Sequence, residues 1–258
     1  MIGKGNKHEN YEILNLLGYG LAKFNDSFIK QFGFNTKNSF YEYIVEIDIS
    51  KTTGTVKNRQ DLFDPFFENG RKGWWQKGNA YIHRKYLIDG LFGNLNVYEY
   101  SKVVKLYLNE YFNIEIDAEV KQTISPIVKS RFKQLQITGQ EAEIYFLNNY
   151  NSISLFENGI IEDARLFGDG YDFQIEVSPL YFLAEVKGIR SNSGSIRLTQ
   201  KEFSKAKEYK NKFVLSIVYN LDDIPKISII ENPIKNLAFT KKELVNKQIN
   251  YHSEFLKW

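Results

Sequence analysis

The chain contains no cysteine, which excludes a disulfide framework and any thiolate-held zinc. A bound cofactor would therefore rest on oxygen or nitrogen ligands. No apolar run approaches the roughly 20 residues that a bilayer span requires. The opening stretch "MIGKGNKHENYEI" lacks the hydrophobic segment of a signal peptide. These two features lead us to expect a cytoplasmic, soluble protein with no membrane partner. A large excess of one charge is also missing: 34 Lys and Arg against 31 Asp and Glu leave a net +3, which permits a polyanionic partner without demanding one. There is no internal repeat and no low-complexity tract. The glycine runs at "GYG" and "GLFG" are too short and wrongly placed to cradle a nucleotide phosphate.

What is present is a globular composition, 43% apolar and 25% charged over 258 residues, with an unusual load of aromatics, 17 Tyr and 20 Phe. The length suits two domains, divided at about residue 125. Residues 1–125 are rich in glycine, aromatics and turn signals such as "GYG", "TTGT" and "DPFFENGRKGWW", a pattern of short strands and loops. Within them "YEYIVEIDIS" alternates as a strand does, and "SKVVKLYLNEYF" carries helical spacing. Pro126 marks a break in the connecting segment. From Thr138 the order becomes helix, strand, strand, helix, strand, strand, and a Thr199-x-x-Glu202 capping box opens the second helix. The expected fold class is α+β or α/β: a C-terminal mixed β-sheet flanked by helices over 126–258, preceded by a mixed, strand- and loop-rich domain.

The most informative stretch is "GDGYDFQIEVSPLYFLAEVKG", residues 168–188. Strand alternation puts Asp172, Gln174 and Glu176 on one face of the first arm, and Leu183, Glu185 and Lys187 on one face of the second. A turn centred between Ser178 and Pro179 sets Asp172 directly opposite Glu185. Opposed Cβ atoms lie roughly 4.5 to 5.5 Å apart, and two like charges there repel. A divalent cation relieves that repulsion, and oxygen-only ligands favour Mg²⁺, with Mn²⁺ as a substitute. Lys187 on the same face would orient or deprotonate an attacking water and balance charge in the transition state. Glu143, on the apolar side of the preceding helix with Phe146, Leu147 and Tyr150, is a further candidate, although Glu141 stands two positions away. Taken alone, Glu-x-Lys on a strand is a common solvated edge. The glycine turn, the register and the extra helix acid together point to a site. Two-residue Ser-Pro loops are not favoured in hairpins, and a one-residue slip would destroy the pairing.

These residues, "GYDF", "YFLAEVKG" and "IRLTQKEFSKAKEYKNKFVLSIVYN", resemble the PD-(D/E)xK nuclease superfamily. The likeness is to the domain found at the C-terminus of the plant protein NO VEIN, which recurs in bacterial restriction-associated proteins. It spans about residues 135–235. Element by element, Glu143 matches the helix acid, Asp172 the motif aspartate, and Glu185 with Lys187 the E-x-K pair. Gln200 and Glu202 fall on the polar positions of the segment that follows. The resemblance implies Mg²⁺-assisted phosphodiester hydrolysis, with Asp172 and Glu185 as metal ligands. Tyr171 replaces the usual proline of the superfamily, and "GQEAE" stands where Gly-Glu is commoner.

Two other motifs are weaker. "HRKYLID" looks like a phospholipase D signature, but Asp89 falls one residue early and only one copy exists. Three histidines, His8, His83 and His252, in unrelated contexts do not make an HNH site, and His83 is expected to be a surface or half-buried, aromatic-like residue. For partners, "RKGWWQKGNAYIHRK" interleaves Arg71, Lys72, Arg84 and Lys85 with Trp74 and Trp75, the residue types that neutralise phosphates and stack on bases. Arg197 and Lys201 open the second basic segment, and "KQTISPIVKSRFK" adds a third. The expectation is a sequence-specific double-stranded DNA endonuclease of the type II restriction kind. It would act as a homodimer beside a cognate methyltransferase. The alternatives are a non-cleaving DNA-binding subunit of a defence complex and an RNA-directed nuclease toxin.

Overall fold

The computed structural model describes residues 10–115, 127–243, 251 and 253. Eight helices precede the sheet among these residues: α1 (Tyr11–Phe24), α2 (Asp26–Lys30), α3 (Lys37–Glu46), α4 (Thr53–Phe63), α5 (Ile82–Phe92), α6 (Val97–Phe112), α7 (Ile127–Gln136) and α8 (Thr138–Asn149). The strands are β1 (Ile160–Asp163), β2 (Phe173–Val177), β3 (Leu180–Gly188), β4 (Phe213–Tyr219) and β5 (Lys226–Glu231). Helix α9 (Gln200–Tyr209) lies between β3 and β4, and the short α10 (Pro233–Asn236) follows β5. The protein is thus α+β, helices first and a helix-flanked mixed sheet after. The break expected at Pro126, the start of "KQTISPIVKSRFK", His8 and His252 lie outside the described residues.

The N-terminal part is helical, which corrects the expectation of a strand- and loop-rich domain. "YEYIVE" belongs to α3, where Phe40, Tyr41 and Ile44 bury a helical face rather than an alternating one. Thr36 caps this helix through its side chain. The aromatics that suggested strands fill the helical core instead. Tyr19, Phe28, Phe40, Phe63 and Tyr100 are fully buried, with ring centroids such as Tyr19 and Tyr100 5.3 Å apart. Packing against neighbours has overridden their β propensity. Gly18, in the "GYG" that looked like a turn, sits inside α1 because a Cβ there would come within 2.5 Å of the Arg59 carbonyl oxygen on α4. Helix α7 closes the same core with Val128, Phe132 and Leu135.

The sheet has the order β1-β2-β3-β4-β5. β3 and β4 run parallel, joined by the crossover through α9, and the other pairs are antiparallel. β1 was not foreseen: "IIED" is short, lacks alternation and lies at the sheet edge. One face packs Phe173, Ile175, Phe182, Ala184 and Val186 against Ala142 and Phe146 of α8. The other packs Leu183 and Phe213 against Ala206 of α9, with Tyr171 and Tyr209 at its margin. Burial of β3 on both faces fits its central place.

Candidate active site

β2 and β3 pair as Phe173↔Ala184, Gln174↔Leu183 and Ile175↔Phe182, the register that places Asp172 across from Glu185. Ser178 and Pro179, joined by a cis peptide, form the two-residue turn. The Asp172 backbone N–H donates to the Ala184 carbonyl at 3.0 Å, carrying the ladder up to the acid. Leu183 packs toward α9, so alternation turns Glu185 and Lys187 to that same side, with Asp172 beside them.

Asp172 Oδ2 accepts from the Val186 backbone N–H at 2.8 Å. Among the described residues no donor is bonded to its other oxygen. Glu185 is 3% exposed and accepts from the Lys187 ammonium. Lys187 Nζ also lies 3.1 Å from Glu202 Oε2, on the first turn of α9. The position of Glu202 comes from its capping box: the Thr199 side chain accepts from the Glu202 N–H, and Glu202 accepts from the Thr199 N–H at 2.8 Å. Glu202 thus serves both the expected cap and Lys187, whereas Gln200 reaches Ser204 at 3.2 Å.

The electrostatics are lopsided. Burial raises the pKa of Asp172, and the nearby charge of Glu143 adds to this against the Val186 hydrogen bond. Burial likewise raises Glu185, with the charge of Asp172 next and Lys187 opposing. For Lys187 burial pulls downward, but Glu185 and Glu202 outweigh it and keep the group an ammonium. One lysine thus faces three acids, two of them raised by burial. A divalent cation fits the missing charge. Among the described residues no three His, Cys, Asp or Glu side chains converge to hold an ion unaided. Two carboxylates that leave the remaining coordination to water and phosphate are the usual arrangement for Mg²⁺.

Glu143 is placed differently from the other three. It projects from α8 near the end of the sheet and accepts from Arg165 Nη1 at 2.8 Å, while Arg165 also donates to Asp163 and lies 5.2 Å from the Phe173 ring centroid. It acts on Asp172 through its charge. The fully buried acid of α8 is Glu141, not Glu143. Glu141 accepts from the Tyr11 hydroxyl at 2.5 Å and Arg190 Nη1 at 2.7 Å. His83 Nε2 lies 3.3 Å away, off the line of a good hydrogen bond. Burial pushes Glu141 up, but His83, Arg190 and Arg84 hold it down at about 2. His83 is fully buried, edge-on to Tyr145, which corrects the expectation of a surface or half-buried residue.

The basic residues expected at a nucleic-acid interface divide into two groups. Arg84 is a correction: it is buried, donates to the carbonyls of Leu221 and Asp223 at 2.9 and 3.0 Å, and cannot reach a phosphate. Arg71 is held by Asp61 and Asp64 at 2.8 and 2.7 Å, and Lys85 pairs with Asp89 at 2.5 Å. Trp74 is half-buried against Tyr81. Lys72, Trp75, Arg197 and Lys201 are exposed.

A family model described as "Protein NO VEIN, C-terminal" matches residues 142–230, about a third of the chain. The match covers the C-terminal part of α8, the sheet through most of β5, and α9. It therefore includes Asp172, Glu185, Lys187 and Glu202. No curated protein and no solved structure matches the chain.

Proposed function

We propose that this protein is a Mg²⁺-dependent double-stranded DNA endonuclease of the type II restriction kind, with a PD-(D/E)xK-like centre at Asp172, Glu185 and Lys187. The observation that carries the reading is the β2–β3 register. It opposes the half-buried Asp172 to the buried Glu185 and sets a lysine on their face. Asp172 and Glu185 would hold the ion, with Mn²⁺ able to substitute. When bound, Mg²⁺ supplies Lewis-acid polarisation of a phosphoryl oxygen and a more acidic water. The match to the NO VEIN C-terminal family covers these positions and supports the same reading.

The chain's own residues then have distinct tasks. Lys187, kept protonated by Glu185 and Glu202, orients the attacking water and offsets negative charge at the phosphorus. Its cationic state favours this over proton abstraction. Glu202 positions Lys187, and the cap fixes Glu202. Glu143 acts on Asp172 from a distance and is held by Arg165. Arg197 and Lys201, at the start of α9, contact the duplex backbone beside the site, and Lys72 with Trp75 offers a second contact on the helical part. Cutting both strands of a palindrome calls for two such centres, hence a homodimer, and a cognate methyltransferase would protect host DNA. Purified protein with Mg²⁺, given supercoiled plasmid or structured RNA, should yield discrete DNA fragments. Cleavage of RNA alone would replace this reading with the toxin. Binding to DNA without cleavage would favour the non-cleaving subunit.

A further inference from the structure

Leu166 and Phe167 are 96% and 67% exposed, on the loop between β1 and Asp172. Most exposed large apolar residues of the sheet, Ile160, Leu180 and Tyr181, lie toward the hairpin turn, whereas this pair lies at the opposite end, where Asp163 pairs with Phe173. The loop is pinned on every side. The Ala164 N–H donates to the Asp172 carbonyl at 2.9 Å, and the Phe167 N–H to the Ala164 carbonyl at 3.0 Å. Between them Arg165 is fixed to Asp163 and Glu143. On the far side Lys201 Nζ reaches the Gly168 carbonyl at 3.3 Å, and Gly170, at φ +91°, passes so close to α9 that a Cβ would lie 2.8 Å from the Lys201 carbonyl carbon.

A held loop that presents two bare apolar side chains beside a basic helix start and a cluster of acids is not explained by folding. Burying either residue would have stabilised the chain, and neither is buried. We infer that Leu166 and Phe167 form a wedge that enters a base step of duplex DNA next to the scissile phosphate, with Lys201 and Arg197 on the flanking phosphates. Apolar wedges of this kind unstack a step and bend the duplex, at a cost repaid by wider contact. Here the bend would bring the backbone down onto Asp172 and Glu185. The loop is tied to Asp172 through the Ala164 hydrogen bond, so wedge and acids move as one piece. The inference rests on the nuclease reading above and assigns the pair a positioning role within it.

The test begins with wild-type protein, plasmid and Mg²⁺, which locates the cut. A short duplex spanning that position is then labelled with 2-aminopurine at each neighbouring step in turn, with Ca²⁺ replacing Mg²⁺. Wild type should brighten one step several-fold, and Phe167→Ser and Leu166→Ser should lose that signal while cleaving roughly tenfold more slowly. Both variants should keep the wild-type melting temperature, since the residues are exposed. Two results overturn the wedge: no step brightens although wild type cuts, or Phe167→Ser cuts at the wild-type rate. A wild-type dimer that becomes monomeric in Phe167→Ser with unchanged 2-aminopurine signal also overturns it, by placing the pair against a second copy. Absence of any wild-type cleavage instead overturns the nuclease reading itself.

Discussion

Glu141 and Glu185 are both buried acids, 0% and 3% exposed, yet the fold treats them in opposite ways. Glu141 is enclosed by donors and cations: Tyr11 and Arg190 donate to its oxygens, His83 Nε2 lies 3.3 Å away, and Arg190 and Arg84 stack over the Tyr11 ring at 4.5 and 5.0 Å. Glu185 faces another acid and shares one lysine with Glu202. The first is held at low pKa and the second is raised. A buried carboxylate whose charge the protein has already matched is a fastener, here tying α1, α5 and α8 to the segment after β3. A buried carboxylate whose charge is left over has room for a cation from outside.

The largest break in this comparison should come from the site itself. Asp172→Asn or Lys187→Ala is expected to lower the rate of plasmid cleavage by a factor on the order of 10³, and Asp172→Asn should leave the melting temperature near wild type. Stopped-time digests and a thermal melt check both halves. The converse should hold for the fastener. Glu141→Ala removes the buried acid shared by Tyr11, Arg190 and the buried Arg84 and is expected to cost about 3 to 5 kcal/mol in urea unfolding. Its pH signature sharpens the point. The carboxyl is depressed in the fold from 4.5 to about 2, so its contribution is present above pH 4.5 and lost as pH falls toward 2. Glu141→Gln should flatten that limb of the stability curve.

These two acids also show how far sequence alone reaches. The pairing of Asp172 with Glu185 was legible because a hairpin has a period of two and a single turn sets every partner. α9 was legible from Thr199 and Glu202, and β4 and β5 from their apolar runs. The choice between Glu141 and Glu143 was not, because the residues flank Ala142 and only the phase of α8 against the sheet decides which is buried. The N-terminal helices were hidden for a different reason. Phe, Tyr and Ile suggest strands locally, and a glycine such as Gly18 suggests a turn, but here the aromatics fill a helical core and the glycine admits a neighbouring helix. Arg84 looked like a phosphate contact because its burial depends on Leu221 and Asp223, more than 130 residues away.

Smaller effects separate the two acids further. Saturating Mg²⁺ should raise the stability of wild type by about 2.7 kcal/mol at a hundredfold excess over its dissociation constant, and should not do so in Asp172→Asn. Differential scanning fluorimetry with and without EDTA reads this directly. Glu202→Gln keeps a capping side chain but removes a charge from Lys187. It should slow cleavage roughly tenfold and cost at most about 1 kcal/mol of stability.

The central claim, that the leftover charge at Asp172 and Glu185 is a metal site, is tested most directly by titrating Mn²⁺ into metal-free protein and counting bound ions by electron paramagnetic resonance. The account expects specific binding to wild type and to Glu141→Gln at a temperature where that variant remains folded, and its loss in Asp172→Asn and Glu185→Gln. Wild type that binds no Mn²⁺, or Asp172→Asn and Glu185→Gln that bind it as wild type does, would contradict the account.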